Sequence, residues 1–302
     1  MNILKTILYY SIFDYPLKFE EILEFSDNTK ENELQTDLDY LLKQEIIFKN
    51  GPFYSISDDY NLTVKRGKAN EMADLIMPKA RSKAHLISNF PFVEGVAFSG
   101  SLSKNYFDKN SDIDFFIITK PNRLWIARTL LILYKKIFLL NSRKYFCVNY
   151  FISSDHLVIN DRNRFTATEL VTLLPYSGFK HFNNFIKENY WAYEYFNNFK
   201  REDLRDTVEI ANKPFLSRGL EKLFEKKIGE NFDEFLKSIT VKKWRSKFKG
   251  MERKQFDIAM RSTKSVSKHH PQNFQKLVID KLNVKIEEYN TKFDLNLSLE
   301  DA

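Results

Sequence analysis

Apolar residues open the chain at helical spacing. Ile3, Leu4, Ile7, Leu8 and Ile12 fall three or four apart and predict one helix, which Asp14-Tyr15-Pro16 ends. Phe19 to Phe25, with Ile22 and Leu23 as its aliphatic residues, predicts a short second helix. Leu34, Leu38, Leu41 and Leu42 predict a third. The pattern then changes to two short strands, Ile46–Lys49 and Phe53–Ser57, around Asn50-Gly51, a pair that accepts positive backbone dihedrals. Residues 61–90 read as a connecting helix. Beyond it Val93–Ser99 reads as a strand, Ser101–Phe107 as a short helix and Ile113–Thr119 as a strand. Arg123–Leu140 reads as a long helix and Tyr145–Ser153 as another strand. This order predicts a small mixed sheet with helices packed on it, an α+β fold. After about residue 165 the apolar spacing reads as helical throughout, with Phe and Tyr at the core positions. The expected division is therefore 1–60, 61–90, 91–164 and a helical 165–302.

Composition narrows the picture. A chain that is 43% hydrophobic and 15% aromatic fills real cores and is not disordered throughout. Its single cysteine, Cys147, allows no internal disulfide and no cysteine-based zinc site, which suits a reducing cytoplasm. Lys5 interrupts the first apolar run and no small-residue cleavage site follows, so no signal peptide is expected. The most apolar run, Leu124 to Leu140, carries Arg128, Lys135 and Lys136 and reads as a buried helix, not a membrane span.

Charge is uneven along the chain. The first sixty residues hold five Lys against twelve Asp or Glu, a net of −7, while the whole chain is +7. An anionic partner therefore belongs to the rest of the molecule. The element order of residues 1–60 resembles a winged helix-turn-helix, whose third helix often enters the DNA major groove. Here that helix carries Glu31, Glu33, Asp37 and Asp39 against Lys30 and Lys43, the wrong sign for phosphate. A docking or structural module is the preferred reading, with a winged-helix nucleic-acid-binding regulator as an alternative.

The most informative stretch is Gly95-Val-Ala-Phe-Ser-Gly100-Ser101, followed by Ser111-Asp112-Ile113-Asp114. Gly100-Ser101 closes a hydrophobic strand and opens a helix. A backbone bare of Cβ lets a phosphate approach, and free N–H groups with the Ser101 hydroxyl can bond its oxygens. Asp112 and Asp114, two apart on a strand, project to one face and bring two carboxylates to common metal ions. Mg2+ takes one or two carboxylates and completes its shell from phosphates and water. Without a cation, two such acids would repel one another at the head of an apolar strand.

These residues resemble the DNA polymerase beta-type nucleotidyltransferase superfamily over roughly residues 92–152. The resemblance implies transfer of a nucleoside monophosphate from an NTP to a hydroxyl or similar acceptor, with release of pyrophosphate. It implies that Gly100 and Ser101, with Ser111 beside them, hold the phosphates, and that Asp112 and Asp114 bind Mg2+ or Mn2+. ATP is the common NTP among relatives. The acceptor is left open between a small molecule, a protein and RNA, and no membrane partner is expected. Two departures stand out. The third carboxylate that the superfamily usually places on a later strand is replaced by Asn149, which can offer a carbonyl but cannot act as a base. Asn149 is then a weaker ligand, or Asp155 or Asp161 substitutes, or the substrate supplies an oxygen, or the chain is a degenerate nucleotide-binding sensor. After Gly-Ser, where small residues and an Arg are common, stands Leu102-Ser103-Lys104-Asn105, and Lys104 can serve phosphate as a point charge.

Secondary candidates are weaker. Eleven Lys or Arg lie between Lys237 and Lys268, with only Glu252 and Asp257 as acids and with Trp244, Phe248 and Phe256 interleaved. This reads equally as a polyanion-steering helix or a solvated face. His269-His270-Pro271 is a loop that could reach the cleft. Tyr150, Trp125 and Phe116 are read as core residues before base-stacking ones. Cys147 shares a strand face with Asn149 and is read as a buried inert thiol.

Overall fold

A computed structural model describes the chain except residues 1, 28, 143, 201–203, 205–206, 211 and 302. The N-terminal elements follow the apolar pattern: α1 (Asn2–Ser11), β1 (Leu17–Lys18), α2 (Phe19–Glu24), α3 (Glu31–Lys43), β2 (Phe48–Asn50) and β3 (Phe53–Ser55). The three short strands form an antiparallel sheet in the order β1-β3-β2. Glu21 and Glu33 accept from the backbone N–H of Lys18 and Lys30, closing the first turns of α2 and α3. The four acids read on α3 are all exposed.

Helix α4 (Tyr60–Ser88) starts on Asp59, whose carboxylate accepts from the Asn61 backbone N–H at 2.9 Å. It leads into the central sheet: β4 (Val93–Ser99), β5 (Asp114–Thr119), β6 (Cys147–Ser153), β7 (Leu174–Ser177) and β8 (Val266–Lys268), in the order β7-β4-β5-β6-β8. Only the β5–β6 pair is parallel, with α5 (Leu124–Phe138) as its crossover. The fold is α+β, as the pattern predicts.

Two readings change. The chain beyond residue 165 is not helical throughout, because β7 and β8 are the outer strands of the sheet. Both are three or four residues long, and β7 contains Pro175, which an edge strand tolerates and a helix pattern hides. The short helix expected over Ser101–Phe107 shrinks to one 3-10 turn, Leu102–Lys104, which Asn105 ends in the left-handed region at φ 52°. The remaining C-terminal elements are helical: α6 (Arg164–Val171), α7 (Phe179–Glu188), α8 (Trp191–Tyr195), α9 (Phe215–Leu223), α10 (Lys227–Lys247), α11 (Arg253–Ala259) and α12 (Phe274–Phe293).

Alternation along β5 builds a core on each face. Phe116 and Ile118 join residues of α1, α6, α7 and α12, including Leu8, Ala167, Phe185 and Leu282. Phe115 and Ile117 join α4, α5 and α10 through Ala80, Trp125, Leu131 and Trp244. Each fully buried side chain of this size contributes about 1.5–3 kcal/mol. The first core also contains Leu34, Leu38 and Tyr54, so the N-terminal elements pack into the same apolar cluster as the sheet. Tyr150 stacks on Phe116 at 5.0 Å and Trp125 meets Trp244 at 6.2 Å, which puts these aromatics in the cores. Among the described residues no helix is long and apolar enough to cross a membrane.

Candidate functional site

Antiparallel pairing of β4 with β5 brings the Gly-Ser corner to the carboxylates. Ser99 pairs with Asp114, so Gly100 turns away directly beside the Asp114 side chain. Gly100 has φ +68°, and a Cβ built on it would stand 2.7 Å from Asp114 Oδ2. Only glycine meets both the dihedral and the space. Ser101, Leu102 and Ser103 follow in the tight turn, and among the described residues their backbone N–H groups make no hydrogen bond. The Ser101 hydroxyl is likewise without a partner among the described residues. The turn thus presents free donors where the glycine leaves room, the arrangement that suits an anion.

Asp112 lies just ahead of β5, not within it. Ile113 between the two acids continues the parallel pairing, donating its N–H to Lys144 O at 2.9 Å and accepting from Cys147 N at 3.0 Å. This keeps Asp112 and Asp114 alternate on one extended segment. Burial raises the Asp114 carboxyl from 3.8 to about 6, against a lowering hydrogen bond with Cys147; the charges of Asp112 and Glu169 raise it further and that of Lys104 lowers it. The Cys147 thiol is pushed far up by burial and then by Asp114, so it stays protonated and donates to the carboxylate. The inert thiol of the sequence reading therefore sits inside the site as a hydrogen-bond donor.

Asn149 occupies the β6 position at which pairing with β5 shifts register, between Val148 and Tyr150. Its Nδ2 donates to Cys147 Sγ at 2.8 Å, so Asp114, Cys147 and Asn149 form one chain of contacts. The Asn149 carbonyl of the main chain accepts from His269 N at 3.1 Å, which brings the His269-His270 loop against β6. Burial, then the Lys268 charge, lowers His270 to about 4, so its imidazole is neutral near pH 7. Of the alternative third acids, Asp155 accepts from the Ser153 hydroxyl at 2.5 Å and Asp161 pairs with Arg261 at 2.8 Å. Ser111 is engaged in its own turn: its hydroxyl donates to Asp108 Oδ1 at 2.9 Å and accepts from Asp108 N at 3.0 Å. It shapes the loop that delivers Asp112.

Lys104 does stand at the corner. Its Nζ donates to Gly100 O at 2.9 Å and pairs with Glu169 of α6 at 2.8 Å. Sequence reasoning missed Glu169, whose one signal is a lone acid in a helix that is otherwise Arg164, threonines and apolar residues. It also missed Tyr15, whose hydroxyl donates to Lys104 O at 2.7 Å. Arg66 lies 3.6 Å over the Tyr15 ring and pairs with Glu21, so the N-terminal elements brace the Gly100–Lys104 turn. The α10–α11 part of the basic stretch does not join the carboxylates. Trp244 and Phe256 anchor it to the other face of the sheet, and Lys242, Lys243, Arg245, Lys247, Lys249, Arg253 and Lys254 are exposed there.

Among the described residues no three His, Cys, Asp or Glu side chains are grouped to hold a metal ion. The donor set is a pair, which fits Mg2+ when phosphate and water supply the other ligands. The like-charge repulsion within that pair is relieved by a cation.

A family model for the nucleotidyltransferase domain matches residues 81–243, more than half of the chain, and spans every element of this site from β4 to α6. No curated protein and no solved structure matches the chain.

Proposed function

The chain belongs to the nucleotidyltransferase domain family, and on that footing we propose that it is a Mg2+-dependent enzyme that moves a nucleoside monophosphate from ATP to an acceptor and releases pyrophosphate. The contact of the Asp114 carboxylate with the bare face of Gly100 supports this reading most directly. It sets metal-binding oxygens and phosphate-binding amides within one ligand's reach. Asp112 and Asp114 would hold Mg2+ or Mn2+, and Gly100, Ser101 and Lys104 the β- and γ-phosphates. When bound, the metal supplies charge neutralisation at the transferred phosphoryl group.

The chain's own part is positioning and electrostatics, which dominate phosphoryl transfer. The amides after Gly100 fix the triphosphate tail. The neutral Cys147 thiol donates to Asp114 from the side of β6. Asn149 offers a carbonyl oxygen but takes no proton, so the acceptor proton leaves to water and not to β6. The order β1-β3-β2, with α2 and α3 between β1 and β2 in the chain, supports a winged-helix-like module, and the exposed acids of α3 and the Tyr15 contact favour docking over DNA binding. Asn149 favours a second reading, a nucleotide-binding sensor without turnover.

Incubation of the protein with α-labelled NTPs, Mg2+ or Mn2+ and a cell lysate tests the proposal. Label is expected to enter an acceptor with the wild type and not with the Asp112→Ala, Asp114→Ala double variant. Binding without any transfer would select the sensor. Equal transfer by the double variant would remove the aspartates from the chemistry.

A further inference from the structure

Resting on the reading of Gly100-Ser101 as the phosphate seat, we propose that Lys104 and Glu169 form a latch that admits a triphosphate only when it arrives with its metal. The Lys104 ammonium sits at the corner and is already engaged: Glu169 Oε1 lies at 2.8 Å and Gly100 O at 2.9 Å. The two side chains are only 14% and 30% exposed, so the pair is partly desolvated and stronger than a surface pair. The Lys104 main chain is fixed by Tyr15, so the side chain alone is free to turn. A phosphate on the Ser101 amides has to draw the ammonium from Glu169. That leaves a third unpaired carboxylate acting on Asp114, whose charge it already opposes together with Asp112. A metal-free triphosphate adds more negative charge and pays for nothing. A metal-loaded one brings the compensating cation with it, and the released Glu169 is tolerated. The latch thus couples phosphate entry to metal entry without Glu169 itself touching the metal.

Isothermal titration of ATP into the full-length protein, in EDTA and in Mg2+, tests this with Glu169→Gln, Lys104→Met and the double variant. Glu169→Gln is expected to tighten metal-free ATP about tenfold, the scale of a typical coupling between neighbouring sites, and to change Mg-ATP little. The gain should vanish in the Lys104→Met background. Glu169→Ala should repeat it, which covers a glutamine that re-forms the bond to Lys104. An unchanged metal-free affinity in both Glu169 variants overturns the latch, and so does a gain of equal size without Lys104, which would show a plain field effect. Asp114→Ala separates the two levels. If it binds Mg-ATP like the wild type, the reading of the corner and the acids as one nucleotide site falls and the latch with it. If it loses Mg-ATP while the Glu169 variants show no gain, the latch alone falls.

Discussion

Two aspartates in this molecule share one electrostatic signature and differ in everything around it. Burial raises both Asp114 and Asp233 to about 6. Asp233 projects from α10 onto the start of α5, where Arg123 provides no side-chain cap, and accepts the Ile126 N–H at 2.8 Å. Its neighbours are backbone donors at a helix N-terminus, which satisfy a carboxylate in place. Asp114 has one weak donor, the Cys147 thiol, and otherwise faces a bare glycine, the charges of Asp112 and Glu169, and a Lys104 ammonium already paired with Glu169. A perturbed carboxyl is therefore not in itself a site. What marks Asp114 is a charge that its own protein leaves unsatisfied, as a ligand-binding group requires.

The comparison breaks in opposite directions under substitution. The largest effect is expected at the junction of corner and carboxylate: Gly100→Ala places a methyl 2.7 Å from Asp114 Oδ2 at a φ of +68°. It should weaken Mg-ATP binding about 100-fold or more while costing about 1–3 kcal/mol of stability. Titration calorimetry and thermal melts separate the two, and an unaffected affinity would dissociate the corner from the acids.

Next comes the aspartate pair itself. Asp233→Ala removes the acceptor of buried helix amides and should lose about 1–3 kcal/mol in denaturant unfolding. Asp114→Asn removes an unsatisfied charge and should leave the metal-free protein as stable as the wild type or more so. A clear loss of stability in Asp114→Asn would make Asp114 a structural acid like its counterpart.

The smallest expected effect is in the pH profile. A carboxyl raised in the folded state is more often protonated there than in the unfolded chain. Its contribution is thus largest at low pH and falls as pH rises from about 4 to about 6, opposite in sign to that of His270, whose lowered value adds stability as pH rises there. Asp233→Asn keeps an oxygen for the cap and should remove part of that fall, and Asp114→Asn another part. The difference between the wild-type and variant curves in metal-free buffer isolates each carboxyl, and a variant whose curve keeps the wild-type shape through this window would contradict its assignment.

Much of this was legible in the chain. The strand over Val93–Ser99 is as read, and β5 begins one residue late: Ile113 bonds Lys144 and Cys147 just ahead of the regular ladder, which starts at Asp114. The meeting of Gly100 with Asp114 follows from two adjacent antiparallel strands, a local consequence that spacing carries. Glu169 was not legible, because α6 reaches Lys104 by tertiary packing across 65 positions of sequence. β7 and β8 were hidden for a related reason: edges this short have too few residues to show a period of two. The cationic surplus was visible as charge, but only the packing of Trp244 and Phe256 shows that its α10–α11 part backs the opposite face.

The central claim is that the chain leaves Asp114 unsatisfied so that a metal-bound triphosphate can complete it at the Gly100 corner. Calorimetric titration of Mg-ATP into the wild type, Asp114→Asn and Asp233→Asn tests it in a single series. The account predicts saturable binding by the wild type and Asp233→Asn, and none by Asp114→Asn. Equal binding by all three proteins would contradict it.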